Sequence, residues 1–158
     1  KKMTFSHLTK KKIVMVDISN KKFTKRVAKA KCIIRFSDSA FKKILKNNIE
    51  KGDIFNTARC AGIIASKKTA ELIPLCHNIS LSSVDIDFKI DKKKNIIEVL
   101  STVKTNYATG VEMEALVACS ISSLTIYDMC KSLDKGIIIE KQSLIYKSGG
   151  KSGTFKND

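Results

Sequence analysis

Two charged side chains near the end of a long apolar stretch, Asp128 and Lys131, are candidates for acid–base chemistry. Their i, i+3 spacing places both on one face of a helix. In a cleft, desolvation would lower the lysine pKa while the carboxylate would raise it, which makes a tunable general acid or base. On the surface, they would form a modest ion pair near a helix C-terminus, where the dipole favours lysine. Both interpretations stay open at this point.

A third charged residue, Lys51, directly precedes Gly52 and Asp53. We interpret Asp53 as the cap of a helix over 54–72. Unpaired N–H groups and the positive end of the helix dipole collect there, so a cation is unfavourable unless an anion joins it. A solvated lysine is the alternative, since lysine is rarely buried unpaired. Lys51 is therefore a candidate anion ligand.

Two acidic residues, Glu112 and Glu114, open the same apolar stretch that carries Asp128. Carboxylates in a first helical turn complement the positive end of the dipole, which is the simplest explanation. However, residues two apart point about 200° from each other around a helix. At least one of the two is therefore expected to face a ligand or a partner.

The loop after the single proline contains Cys76 and His77 side by side. Adjacent Cys and His cannot complete a tetrahedral metal site by themselves, and neighbours in sequence rarely form a nucleophile–base pair. We therefore expect His77 to hydrogen-bond a ligand. The five cysteines form no CxxC pair, which argues against a disulfide framework or a structural zinc site and suits a reducing compartment.

The glycine-rich stretch 149–153 resembles a phosphate-binding loop but lacks its first glycine, because position 145 is Ile. Too few residues follow it for the helix that completes such a site. Two interpretations remain, a flexible tail and a tail that folds over a bound anion.

The elements that position these residues are recognised from periodicity and from turn-forming residues. Period-two alternation and short apolar runs predict strands over 13–16, 24–36, 84–90, 96–103 and 137–146. Apolar residues at helical spacing predict helices from a cap at Ser37-Asp38 to near Asn47, over 54–72, and over 111–133. We therefore predict an α+β sandwich in which helices cover one face of a largely antiparallel sheet.

Length and composition limit the classes of function that are open to this chain. The chain has 158 residues, 43% of them hydrophobic, which suits one domain with a real core, and we expect about 1–11 and 149–158 to be flexible. The longest uncharged helical stretch, 115–127, is shorter than the roughly 20 residues of a membrane span. The net charge of +15 makes polyanionic ligands, including nucleotides, plausible.

Several stretches together resemble the cyclic pyranopterin monophosphate synthase (MoaC) family of molybdenum cofactor biosynthesis. The resemblance covers nearly the whole chain in order, beginning with Met15-Val16-Asp17-Ile18-Ser19. It continues through Lys51-Gly52-Asp53-Ile54-Phe55, Thr57-Ala58-Arg59, Leu72-Ile73-Pro74-Leu75-Cys76-His77, Thr109-Gly110-Val111-Glu112-Met113-Glu114-Ala115-Leu116, Leu124-Thr125-Ile126-Tyr127-Asp128-Met129-Cys130-Lys131 and Lys147-Ser148-Gly149-Gly150-Lys151-Ser152-Gly153.

This resemblance implies a ferredoxin-like fold and a homohexamer, a trimer of dimers, with active sites between protomers. It implies a lyase that rearranges a cyclised dihydro-GTP to a pyranopterin carrying a cyclic phosphate, with release of diphosphate. It implies catalytic roles for Lys51, Asp128 and Lys131. It also implies substrate binding by Leu75, Cys76, His77, Glu112, Met113, Glu114, Lys67 and Lys147.

From the same resemblance we expect no required cofactor and no protein-held metal, with Mg²⁺ possible alongside the diphosphate. Neither nucleic acid nor a membrane is an expected partner. We expect a cytoplasmic location, or an organelle such as the mitochondrion if a targeting segment has been removed.

Two rival functions remain. The first is a non-catalytic nucleic-acid or polyanion-binding module, suggested by charge alone. Against it stand an aromatic content of 6%, the absence of Trp and the scattered basic residues. The second is a nucleotide hydrolase that uses the glycine-rich stretch.

Overall fold

The computed structural model describes residues 7–9, 12–46 and 51–157. The strands are β1 (Leu8–Thr9), β2 (Lys12–Ile13), β3 (Thr24–Arg35), β4 (Ser83–Asp91), β5 (Ile96–Tyr107), β6 (Ile138–Ser148) and β7 (Phe155–Lys156). The helices are α1 (Asp38–Lys46), α2 (Lys51–Lys67), α3 (Thr69–Leu72) and α4 (Glu112–Cys130).

The sheet has five antiparallel strands in the order β4-β5-β3-β6-β7, and β1 pairs with β2 in a separate two-stranded ribbon. Central strand β3 shows why the alternation is informative. Its even positions from Ala28 to Ile34 are fully buried, whereas Lys25 and Lys29 on the other face are exposed. One face of the sheet therefore builds the core.

Helices α2 and α4 supply the other half of the core by packing on that face. Helix α4 lies over the central strands and α2 lies over β4. Over its 19 residues α4 is long and apolar enough to cross a bilayer, yet half of it is buried inside the protein. Its apolar character thus serves the core. The α+β prediction is confirmed, and the arrangement is consistent with a ferredoxin-like sandwich.

The contact between α2 and α4 is unusually close, because the facing residues are small. Gly62 is buried against α4, and a Cβ at that position would collide with the Ser122 hydroxyl and meet the carbonyl oxygen of Ala118 at 2.8 Å. Four residues earlier, Ser122 Oγ donates a hydrogen bond to the Ala58 carbonyl at 2.9 Å. As α2 advances from 58 to 62, its neighbours on α4 run back from 122 to 118. The two helices are therefore antiparallel.

Most predicted elements are found, with shifted ends. Strand β3 and the β4–β5 hairpin confirm the period-two predictions, and the hydroxyl of Ser37 accepts the Ala40 N–H at 3.4 Å, as a cap does. The predicted end of α1 near Asn47 lies outside the described residues.

Three predictions of local structure were wrong in detail. Helix α2 begins at Lys51, so Asp53 lies within the helix and not before it. It ends at Lys67 and not at 72, because the short helix α3 begins at Thr69. At this break the Thr69 hydroxyl donates a hydrogen bond to the Ser66 carbonyl at 2.8 Å. The strand predicted over 13–16 is only β2, because its partner β1 spans two residues. Strand β7 was not predicted.

The close approach at Gly62 is testable by substitution. We expect Gly62→Val to lower the free energy of unfolding by about 2 kcal/mol or more, since the added carbons overpack a site already closed by backbone and Ser122. Urea unfolding followed by circular dichroism measures this. Thr57→Val, exposed on the same helix, is the matched control and should change stability little. Equal stability of the two variants would contradict the close contact.

Candidate active site

A pocket of about 300 Å³ lies at the N-terminal end of α4, beside the loop that follows α3. We call it the His77 pocket. It includes six residues predicted to bind substrate, namely Leu75, Cys76, His77, Glu112, Met113 and Glu114. Its remaining lining comes from His7, Val16, Ile18, Lys21, Ile79, Thr109 and Gly110.

The imidazole of His77 is held by the N-terminal segment. Its Nε2 lies 2.7 Å from the carbonyl oxygen of Val16. A carbonyl only accepts hydrogen bonds, so Nε2 carries the proton. In the neutral ring this leaves Nδ1 as the acceptor. His77 is therefore oriented by a backbone group 61 residues away and has one nitrogen available to receive a proton.

The carboxyl group of Glu114 is the most perturbed acid of the pocket. Its residue is 3% exposed, and burial raises its pKa to about 7, with the charge of Glu112 acting in the same direction. A carboxyl with this pKa exchanges protons near neutral pH. Glu114 can therefore either donate or accept a proton, or donate a hydrogen bond as a neutral acid.

The Cys76 thiol is not poised as a nucleophile. Burial raises its pKa, and the negative charge of Glu114 raises it further. The reactive form of cysteine is the thiolate, which this environment disfavours. Cys76 therefore contributes contact surface to the pocket.

Of the two remaining residues predicted to bind substrate, one lies at the rim. Lys147 on β6 forms an ion pair with Glu112, with Nζ 3.0 Å from Oε1 and both side chains about 30% exposed. Lys67 is exposed at the end of α2, and it is not among the described residues that line the His77 pocket.

The residues predicted to be catalytic lie at the opposite end of the helix pair. Lys131 Nζ is 2.6 Å from Asp128 Oδ1, and both side chains are more than half exposed. The hydrogen bond that the Lys131 ammonium donates to the Asp128 carboxylate raises the pKa of Lys131, so the ammonium is the stable form here. Within one chain, Asp128 and Lys131 form a surface ion pair and do not project into a cleft. Lys51 opens α2 at this same end, because the helices are antiparallel.

The predicted residues thus form two groups. Sixteen residues of α4 separate Glu112 from Asp128, which corresponds to about 24 Å along the helix axis. One group is the His77 pocket with Lys147, and the other is Asp128 and Lys131 with the start of α2. The fold of one chain holds the two groups apart.

Metal ligands of protein origin are not grouped in the described part of the chain. Among residues 7–9, 12–46 and 51–157, no three His, Cys, Asp or Glu side chains are arranged to hold a metal ion. Mg²⁺ accompanying a diphosphate remains a prediction, because such an ion takes part of its ligands from phosphate.

Sequence reasoning missed the pocket residues His7 and Lys21. Both belong to the segment before β3, where the short apolar run was interpreted as a strand and a turn. The one available signal was the family-like stretch at 15–19, which runs through the pocket residues Val16 and Ile18.

Known proteins resemble this chain over nearly its whole length. The model of the MoaC family matches residues 15–150. A cyclic pyranopterin monophosphate synthase of Bordetella avium is 49% identical over 156 residues, covering 98% of this chain and 96% of that protein. Proteins of the same name are 51% identical in Listeria monocytogenes, covering 92% and 91% of the two chains, and 46% identical in Bacillus subtilis, covering 98% and 92%.

The raised pKa of Glu114 predicts a pH-dependent effect of Glu114→Gln. In the unfolded chain the carboxyl ionises near pH 4.5, and in the folded chain near 7. The wild type therefore loses stability as pH rises through this window, by about 3 kcal/mol when the shift is fully expressed. The neutral amide escapes this loss.

The measurement is urea unfolding of both proteins at pH 4.5 and pH 8. We expect Glu114→Gln to gain stability relative to the wild type between the two pH values. A difference that stays constant with pH would show that Glu114 is not a buried carboxyl.

Proposed function

Because the chain belongs to the MoaC family, we propose that it is a cyclic pyranopterin monophosphate synthase, a lyase of molybdenum cofactor biosynthesis. The observation that carries this proposal is the near full-length similarity to synthases at about half identity. The substrate is (8S)-3',8-cyclo-7,8-dihydroguanosine 5'-triphosphate, which becomes cyclic pyranopterin monophosphate and diphosphate.

The chemistry of this reaction fits the groups of the His77 pocket and the lysines. A cyclic phosphate forms when a hydroxyl oxygen attacks the α-phosphorus and the hydroxyl proton passes to a base. The bond between the α-phosphorus and the oxygen that bridges it to the β-phosphorus breaks, and diphosphate leaves. The rearrangement of the rings also moves protons. His77 Nδ1 is available as an acceptor, and the Glu114 carboxyl, whose pKa burial raises to about 7, can donate or accept a proton near neutral pH. Ammonium groups can stabilise charge on phosphate.

We assign Lys51, Asp128 and Lys131 to catalysis, and we assign substrate binding to the His77 pocket with Lys147 and Lys67. The 24 Å or so between the two groups is too long for one nucleotide to bridge, as judged from the rise of α4. A second chain that brings its Asp128–Lys131 end to the His77 pocket removes this difficulty. The split therefore supports a homo-oligomer with shared sites, which we propose to be a trimer of dimers.

Docking of a partner also explains how an exposed ion pair becomes reactive. In one chain, Asp128 and Lys131 are hydrated and the lysine stays charged. Covering the pair removes water, which strengthens its field on a bound phosphate and opens the way to proton transfer.

The proposed reaction needs no cofactor, and Mg²⁺ enters, where it takes part, with the diphosphate. The similar proteins named above are bacterial, and all five cysteines are free, so we propose a cytoplasmic location. The non-catalytic polyanion-binding alternative is not favoured, since the relatives at about half identity are named as synthases.

Loss of the Asp128–Lys131 pair is the first test. We expect Asp128→Asn and Lys131→Ala each to lower kcat at least about 100-fold, the scale of a lost acid–base group, while the unfolding curve stays unchanged. Diphosphate release from the purified cyclised nucleotide measures this.

The matched controls for this test are Asp38→Asn and Lys42→Ala. That ion pair has nearly the same length, 2.7 Å, and is also exposed on a helix. Activity that falls equally in both sets would refute a special role for Asp128 and Lys131. Lys51→Ala is expected to follow the catalytic set.

Mixing variants tests the shared site. We expect Lys131→Ala and His77→Ala, each inactive alone, to recover activity after subunit exchange, because some sites then receive both intact ends. With equal mixing and random assembly the recovery is roughly a quarter of the wild-type activity. Lys131→Ala mixed with Asp128→Asn, both damaged at the same end, should recover nothing. Equal results from the two mixtures would place the whole site in one chain.

A further inference from the structure

The N-terminal ribbon brings a second imidazole to the His77 pocket. His7 directly precedes β1, which pairs with β2, and its side chain lines the pocket. The chain has two histidines, so both of its imidazoles belong to this one pocket. The chemistry of the His7 ring plays no part in the function proposed above.

His7 is joined to Val14 at two points. The Val14 N–H donates a hydrogen bond to the His7 carbonyl at 3.0 Å, and His7 Nδ1 lies 3.2 Å from the Val14 carbonyl oxygen. Because a carbonyl oxygen only accepts hydrogen bonds, Nδ1 carries the proton of the neutral ring. The lone pair of the ring is therefore on Nε2.

The same short segment holds both imidazoles, in opposite tautomers. His77 Nε2 donates to the Val16 carbonyl at 2.7 Å, whereas His7 Nδ1 donates to the Val14 carbonyl. His77 therefore offers the lone pair of Nδ1, and His7 offers that of Nε2. Each lone pair belongs to a ring whose other nitrogen is bound to the backbone, which fixes the direction of the ring.

Other polar groups of the pocket are less suited to take a proton from a ligand. Glu112 is engaged in its ion pair with Lys147, with Oε1 3.0 Å from Nζ. The ammonium of Lys21 has only hydrogens to offer. Burial raises the pKa of the Cys76 thiol, so the thiolate is disfavoured. Among the described residues that line the pocket, the side chains left to take up a proton are the two imidazoles and the Glu114 carboxyl.

These acceptors indicate which part of the nucleotide they meet. An ionised phosphate has no hydrogen to donate, so it gains nothing from a lone pair on imidazole nitrogen. The reduced guanine-derived ring and the ribose of the proposed substrate carry N–H and O–H groups, and these can donate a proton. A lone pair on His7 therefore suits this part of the nucleotide.

We propose that His7 is a further catalytic residue, which takes a proton through Nε2 from an N–H or O–H group of the bound nucleotide. The electron pair of the broken bond stays on the substrate, and the His7 ring becomes an imidazolium. The Val14 carbonyl stabilises this cation through the bond that Nδ1–H donates. Transfer of the proton to water or to the product restores the neutral ring. This inference rests on the proposed function for the identity of the substrate.

Two substitutions separate proton transfer from simple contact. His7→Asn keeps an amide donor near the position of Nδ1, so the ribbon stays anchored, but it loses Nε2. His7→Gln places an amide near the position of Nε2, which can hydrogen-bond a ligand but takes up no proton. We expect each to lower kcat for diphosphate release about 100-fold while KM changes less. Full kcat in either variant would overturn the proposal.

Chemical rescue identifies the missing group. We expect His7→Ala to be as slow as His7→Gln and to recover part of its kcat when imidazole is added to the solution. Lys131→Ala, which lacks an ammonium, should gain nothing from imidazole. Lys12→Gln is the matched control, because Lys12 is exposed on β2 of the same ribbon and does not line the pocket. A loss of kcat in Lys12→Gln as large as in His7→Gln, or an equal gain of both Ala variants in imidazole, would overturn the role of the His7 ring.

Chemical modification tests the contact without turnover. Diethyl pyrocarbonate acylates neutral imidazole nitrogen, and peptide mass spectrometry measures each histidine separately. In Lys131→Ala, which we expect to bind the cyclised nucleotide without converting it, a nucleotide concentration about ten times Kd should slow modification of His7 about tenfold. Modification of His7 at an unchanged rate would overturn the contact.

The two measurements also separate this inference from the proposed function. A wild type that converts the nucleotide, with His7 variants at full kcat, keeps the proposed function and loses the role of His7. A wild type that does not convert the nucleotide, but in which the nucleotide slows modification of His7, loses the proposed function and keeps the contact at His7.

Discussion

The antiparallel contact between α2 and α4 is the constraint that decides which candidate residues of these two helices lie together. Small residues let the two backbones approach until Ser122 reaches the Ala58 carbonyl. That contact places the start of α2 with the end of α4. Lys51, the first residue of α2, therefore lies at the same end of the helix pair as Asp128 and Lys131, although 77 residues of sequence separate Lys51 from Asp128. The same contact sends Glu112 and Glu114 to the opposite end, beside the His77 loop.

How much of this was predictable depends on whether the signal is local. Strand β3 was predicted because lysines alternate with buried apolar residues over many positions. The β4–β5 hairpin was predicted because Asp91 and Asn95 are turn residues. In the structure Asp91 Oδ1 accepts two backbone N–H groups, from Lys93 and Lys94, and Asn95 has a positive φ of 54°. Each of these features depends on neighbours within a few residues.

The features that escaped prediction depend on distant contacts. Nothing near Val16 indicates that its carbonyl holds His77, so its apolar run looks like one more strand. Nothing near Arg26 indicates that Gly150 will press against its guanidinium and help to bury Nε. The local sequence indicated that His77 and one of Glu112 and Glu114 face a ligand. Only the resemblance, which spans the chain, grouped them with Leu75, Cys76 and Met113 as one set of substrate-binding residues, because family-like stretches carry information about distance that periodicity does not.

Two ion pairs show why the groups that we propose to be catalytic cannot be recognised from one chain. Asp38–Lys42 and Asp128–Lys131 have nearly equal lengths, 2.7 and 2.6 Å, and both are exposed on helices. Local geometry therefore does not distinguish a surface pair from a reactive one. The difference between them is position, since Asp128 and Lys131 lie at the end of α4 beside which the antiparallel α2 begins. Water around an exposed pair screens its charge, and only removal of that water makes its field strong enough for chemistry. In the oligomer proposed above, a second chain supplies the surface that removes it, so assembly is itself part of the proposed active site.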